Sequence, residues 1–151
     1  MGHGDLSAAD PFNLARFVQA QERDYEQAMS EIRGGRKRSH WMWYIFPQFD
    51  GLGLSATSSH YAIKSLAEAE AYLRHAVLGA RLLESARASV ALEGRSAFEV
   101  FGSPDDMKLQ SFATLFASIS PAGSVFEQII DKYFGGKRDE KTIRLLGSRF
   151  G

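Results

Sequence analysis

DPFNLARFVQAQERDYEQAMSEIRGG, residues 10–35, is the stretch that settles the fold class. Asp10 has the side chain of a helix N-cap, and Pro11 suits the first helical position, where the missing N–H would be unpaired anyway. Leu14, Phe17, Val18, Tyr25, Ala28, Met29 and Ile32 then recur at helical spacing and form one apolar stripe. Gly34-Gly35 ends the run, because glycine accepts the left-handed conformation that closes a helix.

The same grammar repeats downstream. A helical pattern returns at Tyr61 and continues through Ala62, Leu66, Ala69, Leu73 and Val77, with Ser65-x-x-Glu68 in the form of a capping box. Leu78, Leu82, Leu83, Ala86 and Val90 carry a further run across Gly79 to Gly94. Ser96-x-x-Glu99 starts a short helix that stops at Gly102. Ser103-Pro104-Asp105-Asp106 then reads as a cap, a proline and first-turn acids that favour the helix dipole. That helix carries Leu109, Phe112 and Phe116. Pro121 opens the next, with Phe126, Ile129, Ile130 and Phe134, and Gly135-Gly136 closes it; Asp139 caps a last one through Leu146. No pair of alternating β-branched segments and no hairpin dipeptide between strand candidates is present. The pattern predicts an all-α fold, a single compact domain of six or more helices over 11–148 with one aromatic-rich loop or short-helix segment. Residues 1–10 read as a flexible N-terminal segment.

The totals agree with such a domain. The 151 residues suffice for a true core, and 44% hydrophobic with 24% charged residues is ordinary for a globular chain. Lys+Arg and Asp+Glu balance at 18 each, so no overall field draws the chain to nucleic acid or membrane, and any basic patch is local. With no cysteine, disulfides, thiolate-held metals and thiol catalysis are excluded. Residues 1–10 lack the charged and apolar regions of a secretory signal, and no apolar run approaches the roughly 20 residues of a membrane span. These features predict a cytoplasmic protein without membrane contact.

Chemical signatures are sparse. There is no phosphate loop of the Gly-x-x-x-x-Gly-Lys type, and Gly51-x-Gly53 lacks the third glycine and the flanking strand of a dinucleotide fingerprint. A Gly-x-Ser-x-Gly elbow is missing as well. His3, His40, His60 and His75 have no metal-ligand spacing, so neither a metal nor a cofactor is expected.

Two segments remain that can carry chemistry. In the first, Arg36-Lys37-Arg38 leads into Ser39-His40-Trp41-Met42-Trp43-Tyr44-Ile45-Phe46-Pro47-Gln48. Pro47 limits any helix to about two turns before it, and Ser39 is the expected cap. The cations suit an anion, the indoles offer flat faces, His40 can exchange a proton near neutrality, and Gln48 offers a donor and an acceptor. The competing reading is packing, since aromatic clusters are usually core and Arg/Lys runs usually solvated. Helix geometry divides the stretch: Trp41, Tyr44 and Ile45 share a face suited to the core, His40 and Trp43 share another suited to a pocket.

The second segment is Gly102-Ser103-Pro104-Asp105-Asp106-Met107-Lys108-Leu109-Gln110-Ser111. Asp105 falls on the apolar side with Leu109, Phe112, Ala113 and Phe116, and a carboxylate there needs a partner. An arginine, a tryptophan indole and His40 are the candidates. Lys108 and Ser111 lie along a polar strip suited to phosphate or sugar hydroxyls. The plainer alternative makes Asp105 and Asp106 dipole acids and Lys108 a surface residue.

The run Gly35 to Gln48 followed by Gly51-Leu52-Gly53 resembles the bacterial family called domain of unknown function 1810. So do Glu68-Ala69-Glu70-Ala71-Tyr72-Leu73-Arg74-His75 with Leu78-Gly79-Ala80-Arg81-Leu82, Phe101 to Leu109, and Thr114-Leu115-Phe116. The resemblance spans about Leu14 to Leu146 and implies an all-helical fold but no activity. Members sometimes carry the label calpastatin, which does not fit: a protease-inhibitor segment of that kind is disordered and polar, whereas this chain has helix caps and 12% aromatic residues. Two positions depart from the family's pattern. His75-Ala76 stands where His-Pro is usual. Ser111-Phe112-Ala113 replaces paired serines and a methionine, which makes Ser111 a weaker ligand contact than Lys108.

The leading expectation is a pocket formed by 36–61 and 102–116 that binds a phosphorylated or nucleotide-like small molecule. Arg36 or Lys37 and Lys108 hold the anion, Trp43 stacks, and His40 with Gln48 orients the ligand. An enzymatic version makes His40 and Asp105 the acid–base pair of a hydrolase. The alternatives are a protein- or single-stranded nucleic-acid-binding module, which three cations in a neutral protein disfavour, and a structural homo-oligomer.

Overall fold

The computed structural model describes residues 10–53 and 55–150; the expected flexible segment 1–10 lies, except for Asp10, outside them. Among the described residues the chain forms nine helices, and its only sheet-like feature is an isolated parallel bridge between Phe49 and Ile63. The helices are α1 (Ala15–Arg33), α2 (Met42–Ile45), α3 (Ala56–Tyr61), α4 (Leu66–Arg74) and α5 (Ala76–Ala91). They continue with α6 (Ala97–Phe101), α7 (Asp105–Ala117), α8 (Val125–Phe134) and α9 (Glu140–Phe150). The all-α, single-domain expectation therefore holds.

The apolar stripe of α1 is buried as its spacing demands: Phe17, Ala20, Tyr25, Ala28, Met29 and Ile32 all face the core. The helix opens later than Pro11, however. Asp10 does accept hydrogen bonds from the Leu14 and Ala15 amides, at 2.7 and 3.0 Å, but residues 11–14 form turns before the helix begins. Ser96 and Glu99 make the expected capping box, Ser65 caps α4 through the Glu68 amide, Gly135 closes α8 in the left-handed conformation, and Asp139 receives the Thr142 amide at the start of α9.

Four local expectations are corrected. Ser39 does not cap α2; its hydroxyl and amide both go to Glu31. The helix at Tyr61 ends there rather than beginning, because residues 62–64 turn extended to pair with 48–50 through Ile63 N–H to Gln48 O and Asp50 N–H to Ile63 O, both 2.9 Å. No side chain caps α7, which starts after the cis Ser103–Pro104 bond. The cap of α8 is Ser124, three residues beyond Pro121.

α7 runs through the middle of the molecule. Leu109 and every residue from Ser111 to Ala117 are buried, so the last two turns of this helix are enclosed on all sides while its first turn stays partly open. Rings link the layers around it: Phe46–Phe112 at 4.7 Å between centroids, Phe112–Phe126 at 5.7 Å, Tyr72–Phe116 at 5.8 Å and Phe17–Tyr72 at 5.0 Å. One position shows how closely the helices approach. A Cβ on Gly79 of α5 would stand 2.1 Å from the Leu73 carbonyl oxygen, so only glycine lets α5 leave α4 at this angle. His75 sits at that corner, its Nδ1 accepting from the Val77 and Leu78 amides at 3.1 Å.

Two buried charges organise the chain and neither was visible in the sequence. Arg16 engages every N–H it has: Nε on the His60 carbonyl, Nη1 on those of Phe12 and Asn13, and Nη2 on the Ala62 carbonyl and Glu68, the last at 2.6 Å. It thereby ties the start of α1 to the end of α3 and the start of α4. Glu31 does the same for residues 36–41.

Candidate functional site

The cationic segment after α1 is folded back by Glu31. Its Oε1 accepts from the Arg38 amide, the Ser39 amide and the Trp41 indole at 2.8, 3.0 and 2.8 Å. Its Oε2 accepts from the Ser39 hydroxyl and the Gln27 amide at 2.6 and 2.8 Å. Burial alone would raise the Glu31 pKa, but bonds from Ser39, Arg38, Gln27 and Trp41 outweigh it and hold the value at about 2. The carboxylate is therefore fully charged at neutral pH. It fixes Trp41 in the core and starts α2 in the register that leaves Trp43 half-buried.

The division of the aromatic stretch follows. Trp41, Tyr44 and Ile45 are buried, whereas Trp43 is half-buried. Tyr44 donates to Asp24, and burial together with that carboxylate pushes its phenol up to about 12. After Pro47 the extended residues 48–50 are pinned by the two backbone bonds to Ile63, which holds Gln48 at one place in the fold.

Here the two segments meet. The Asp105 carboxylate at the start of α7 receives Lys37 Nζ at 2.8 Å and Lys108 Nζ at 3.4 Å. The Lys37 ammonium is nearly buried, also donates to the Ser39 carbonyl and lies 5.1 Å from the centre of the Trp41 ring. Such a charge requires a counter-ion, so Asp105 belongs first to Lys37. Lys108 is the surplus cation, held loosely by Asp105 and resting 5.0 Å from the centre of the Trp43 ring.

Beside this cluster opens a cleft of about 420 Å³, in the size range of small-molecule sites. Trp43, Gln48, Leu52, Pro104, Met107 and Lys108 give it an amphipathic wall, and Ser55, Ser58, Ser111, Asp139 and Lys141 complete it. A second, much smaller cavity of about 20 Å³ lies under the 49–53 loop and shares Trp43, Gln48 and Ser58 with the cleft.

Of the residues singled out in the sequence, Trp43, Gln48 and Lys108 line the cleft together. Lys37 stands behind it as the partner of Asp105. Arg36 and His40 are exposed and are not part of its lining. The partners of Asp105 are the two lysines, in place of the expected arginine, indole or His40. Asp139 and Lys141 were missed as lining residues. The Asp139 cap located the start of α9, but only packing brings that start to α7, where Asp139 Oδ2 receives the Ser111 hydroxyl at 3.1 Å and the Asp139 amide donates to Thr114 Oγ1 at 2.9 Å. Among the described residues no group of three or more His, Asp or Glu side chains is placed to hold a metal ion, and no helix is long and apolar enough to cross a membrane.

Comparison with known proteins places the chain among close relatives. The family model described as "Protein of unknown function (DUF1810)" matches residues 11–146. The crystal structure of the conserved hypothetical protein Rv1873 from Mycobacterium tuberculosis is 49% identical, with a TM-score of 0.89 over 91% of this chain and 99% of that one. No curated protein matches.

Proposed function

The chain belongs to the DUF1810 family, whose name supplies no activity, and we propose from its own cleft that it binds a small phosphorylated or nucleotide-like molecule there. One observation carries the reading: two segments distant in sequence converge on a cleft in which Lys108, a surplus cation, stands over the half-buried Trp43 ring. A cation beside an aromatic face suits an anionic group attached to a flat ring. Lys141, which makes no ion pair among the described residues, adds a second positive charge to the lining of the cleft. An acid–base hydrolase built on His40 and Asp105 has less support, because Asp105 receives a lysine on each oxygen and His40 lies outside the cleft.

The test is a thermal-stability screen of the intact protein against inorganic phosphate, sugar phosphates and nucleotides. A ligand present at about 100 times its dissociation constant adds roughly 2.7 kcal/mol. The expected result is a rise of several degrees with at least one phosphorylated compound, lost in Lys108→Ala. No rise with any of them, from a protein that melts cooperatively, would remove the proposal.

A further inference from the structure

The polar groups that line the cleft fall into two sets. The Ser55 hydroxyl donates to that of Ser58 at 3.1 Å, and the Ser58 hydroxyl donates to the Ser55 carbonyl at 2.9 Å. The Ser111 hydroxyl reaches the Met107 carbonyl and Asp139, and Asp139 Oδ2 also takes the amide and hydroxyl of Thr142. These groups hold the wall together. In contrast, neither the Gln48 carboxamide nor the Trp43 indole N–H makes a hydrogen bond among the described residues, although both side chains are half-buried and line the cleft and the small cavity beside it. An open carboxamide on a backbone fixed by two hydrogen bonds, next to a half-exposed indole, has no structural task to perform.

Resting on the reading that the cleft takes a phosphorylated molecule, we propose that Gln48 is its base-reading residue and that the ligand is a nucleoside monophosphate. A carboxamide places one acceptor beside one donor in a plane. Its complement is a planar ring with a neighbouring donor and acceptor on its edge, which is the chemistry of a nucleobase. The Trp43 indole lies in the same wall to pack against such a ring. The open groups are mostly donors: the Gln48 amide, the Trp43 N–H and the Lys108 and Lys141 ammonium groups, with Gln48 Oε1 and Asp139 Oδ1 as acceptors. A neutral sugar can accept from these donors through its hydroxyl oxygens but brings no charge to the two ammonium groups, whereas an oxyanion brings both.

Charge limits the phosphate count. Lys37, Lys108 and Lys141 stand against Asp105 and Asp139, a local surplus of one positive charge. One phosphate monoester, at about −1.5 to −2, cancels that surplus and leaves about one negative charge or less over. A triphosphate leaves most of its charge unmatched.

The experiment is isothermal titration calorimetry at low salt with uridine 5′-monophosphate, uridine 5′-triphosphate, ribose 5-phosphate and uridine, on the wild-type protein and Gln48→Ala. The monophosphate should bind about tenfold more tightly than ribose 5-phosphate, and no less tightly than the triphosphate. Gln48→Ala should erase the gain over ribose 5-phosphate and leave the sugar phosphate unaffected. Should the variant fail to fold, the side-chain amide resonances of Gln48 in the 15N-labelled wild-type protein are read instead, and they should shift with the nucleotide and not with the sugar phosphate. Equal binding of the nucleotide and ribose 5-phosphate, an equal loss of both in the variant, or a Gln48 amide that ignores the nucleotide would overturn base reading while leaving a phosphate site. Silence from every compound would remove both.

Discussion

Replacing Glu31 by Gln tests the claim that one buried carboxylate positions the whole 36–41 segment. In the folded protein its pKa is held at about 2 against an ordinary value of 4.5. At about 1.36 kcal/mol for each tenfold change in acidity, that gap corresponds to about 3 kcal/mol of stability at neutral pH. The sign follows from the direction of the shift. A carboxylate with a depressed folded pKa stabilises the fold fully above 4.5, and its contribution drains away as pH falls from 4.5 to about 2. Glutamine resembles the protonated acid: it keeps an acceptor for the Arg38 and Ser39 amides and the Trp41 indole, but loses the charge. The assay is urea unfolding followed by far-ultraviolet circular dichroism at several pH values between 7 and 3. With a dependence of about 2 kcal/mol per molar urea, Glu31→Gln should lower the midpoint by roughly 1.5 M at pH 7. The gap between the two proteins should narrow steadily below pH 4.5. A difference under about 0.5 kcal/mol at pH 7, which is the level of an ordinary surface substitution, would show that the Glu31 charge does not hold the segment. A gap that stays constant down to pH 3 would do the same.

Three other substitutions probe the remaining framework. Gly79→Ala places a methyl 2.1 Å from the Leu73 carbonyl oxygen, so despite alanine's better helix propensity it should cost about 2 kcal/mol and lower the melting temperature. Arg16→Lys keeps the charge opposite Glu68 but cannot reach five acceptors at once; the expected loss is about 2–3 kcal/mol in urea unfolding, and an unchanged midpoint would contradict it. Asp105→Asn removes the counter-ion of the nearly buried Lys37 and should destabilise by about 2 kcal/mol. A Lys37→Met, Asp105→Leu double variant should recover part of that loss, since the nearly buried ammonium is then removed along with its counter-ion and only the more exposed Lys108 loses a partner.

What could be read from the chain and what could not divides by the range of the interaction. The stripe from Phe17 to Ile32, the Ser96–Glu99 box and the Gly135 stop all involve residues within a few positions of one another, and they stand where the pattern put them. The failures are of a different kind. Tyr61 ends a helix because residues beyond it pair with Gln48 and Asp50, and Ser39 is no cap because Glu31 takes its hydroxyl. In each case a partner remote along the chain overrode a local preference.

The cleft shows the same boundary. Trp43, Gln48 and Lys108 were legible as polar or aromatic residues with no obvious place in a core, and they line one cleft. Arg36, Lys37 and Lys108 could not be ranked against one another in the sequence, because all are simply cations. Packing ranked them: it buried Lys37 against Asp105, left Arg36 exposed and outside the cleft, and set Lys108 over Trp43. Helix formation and capping act over three or four residues, so the all-α fold and most of its helices follow from local patterns in the chain. Which charges are neutralised and which polar groups stay open depends on distances across the folded chain, so the cleft and the groups that line it emerge only on folding.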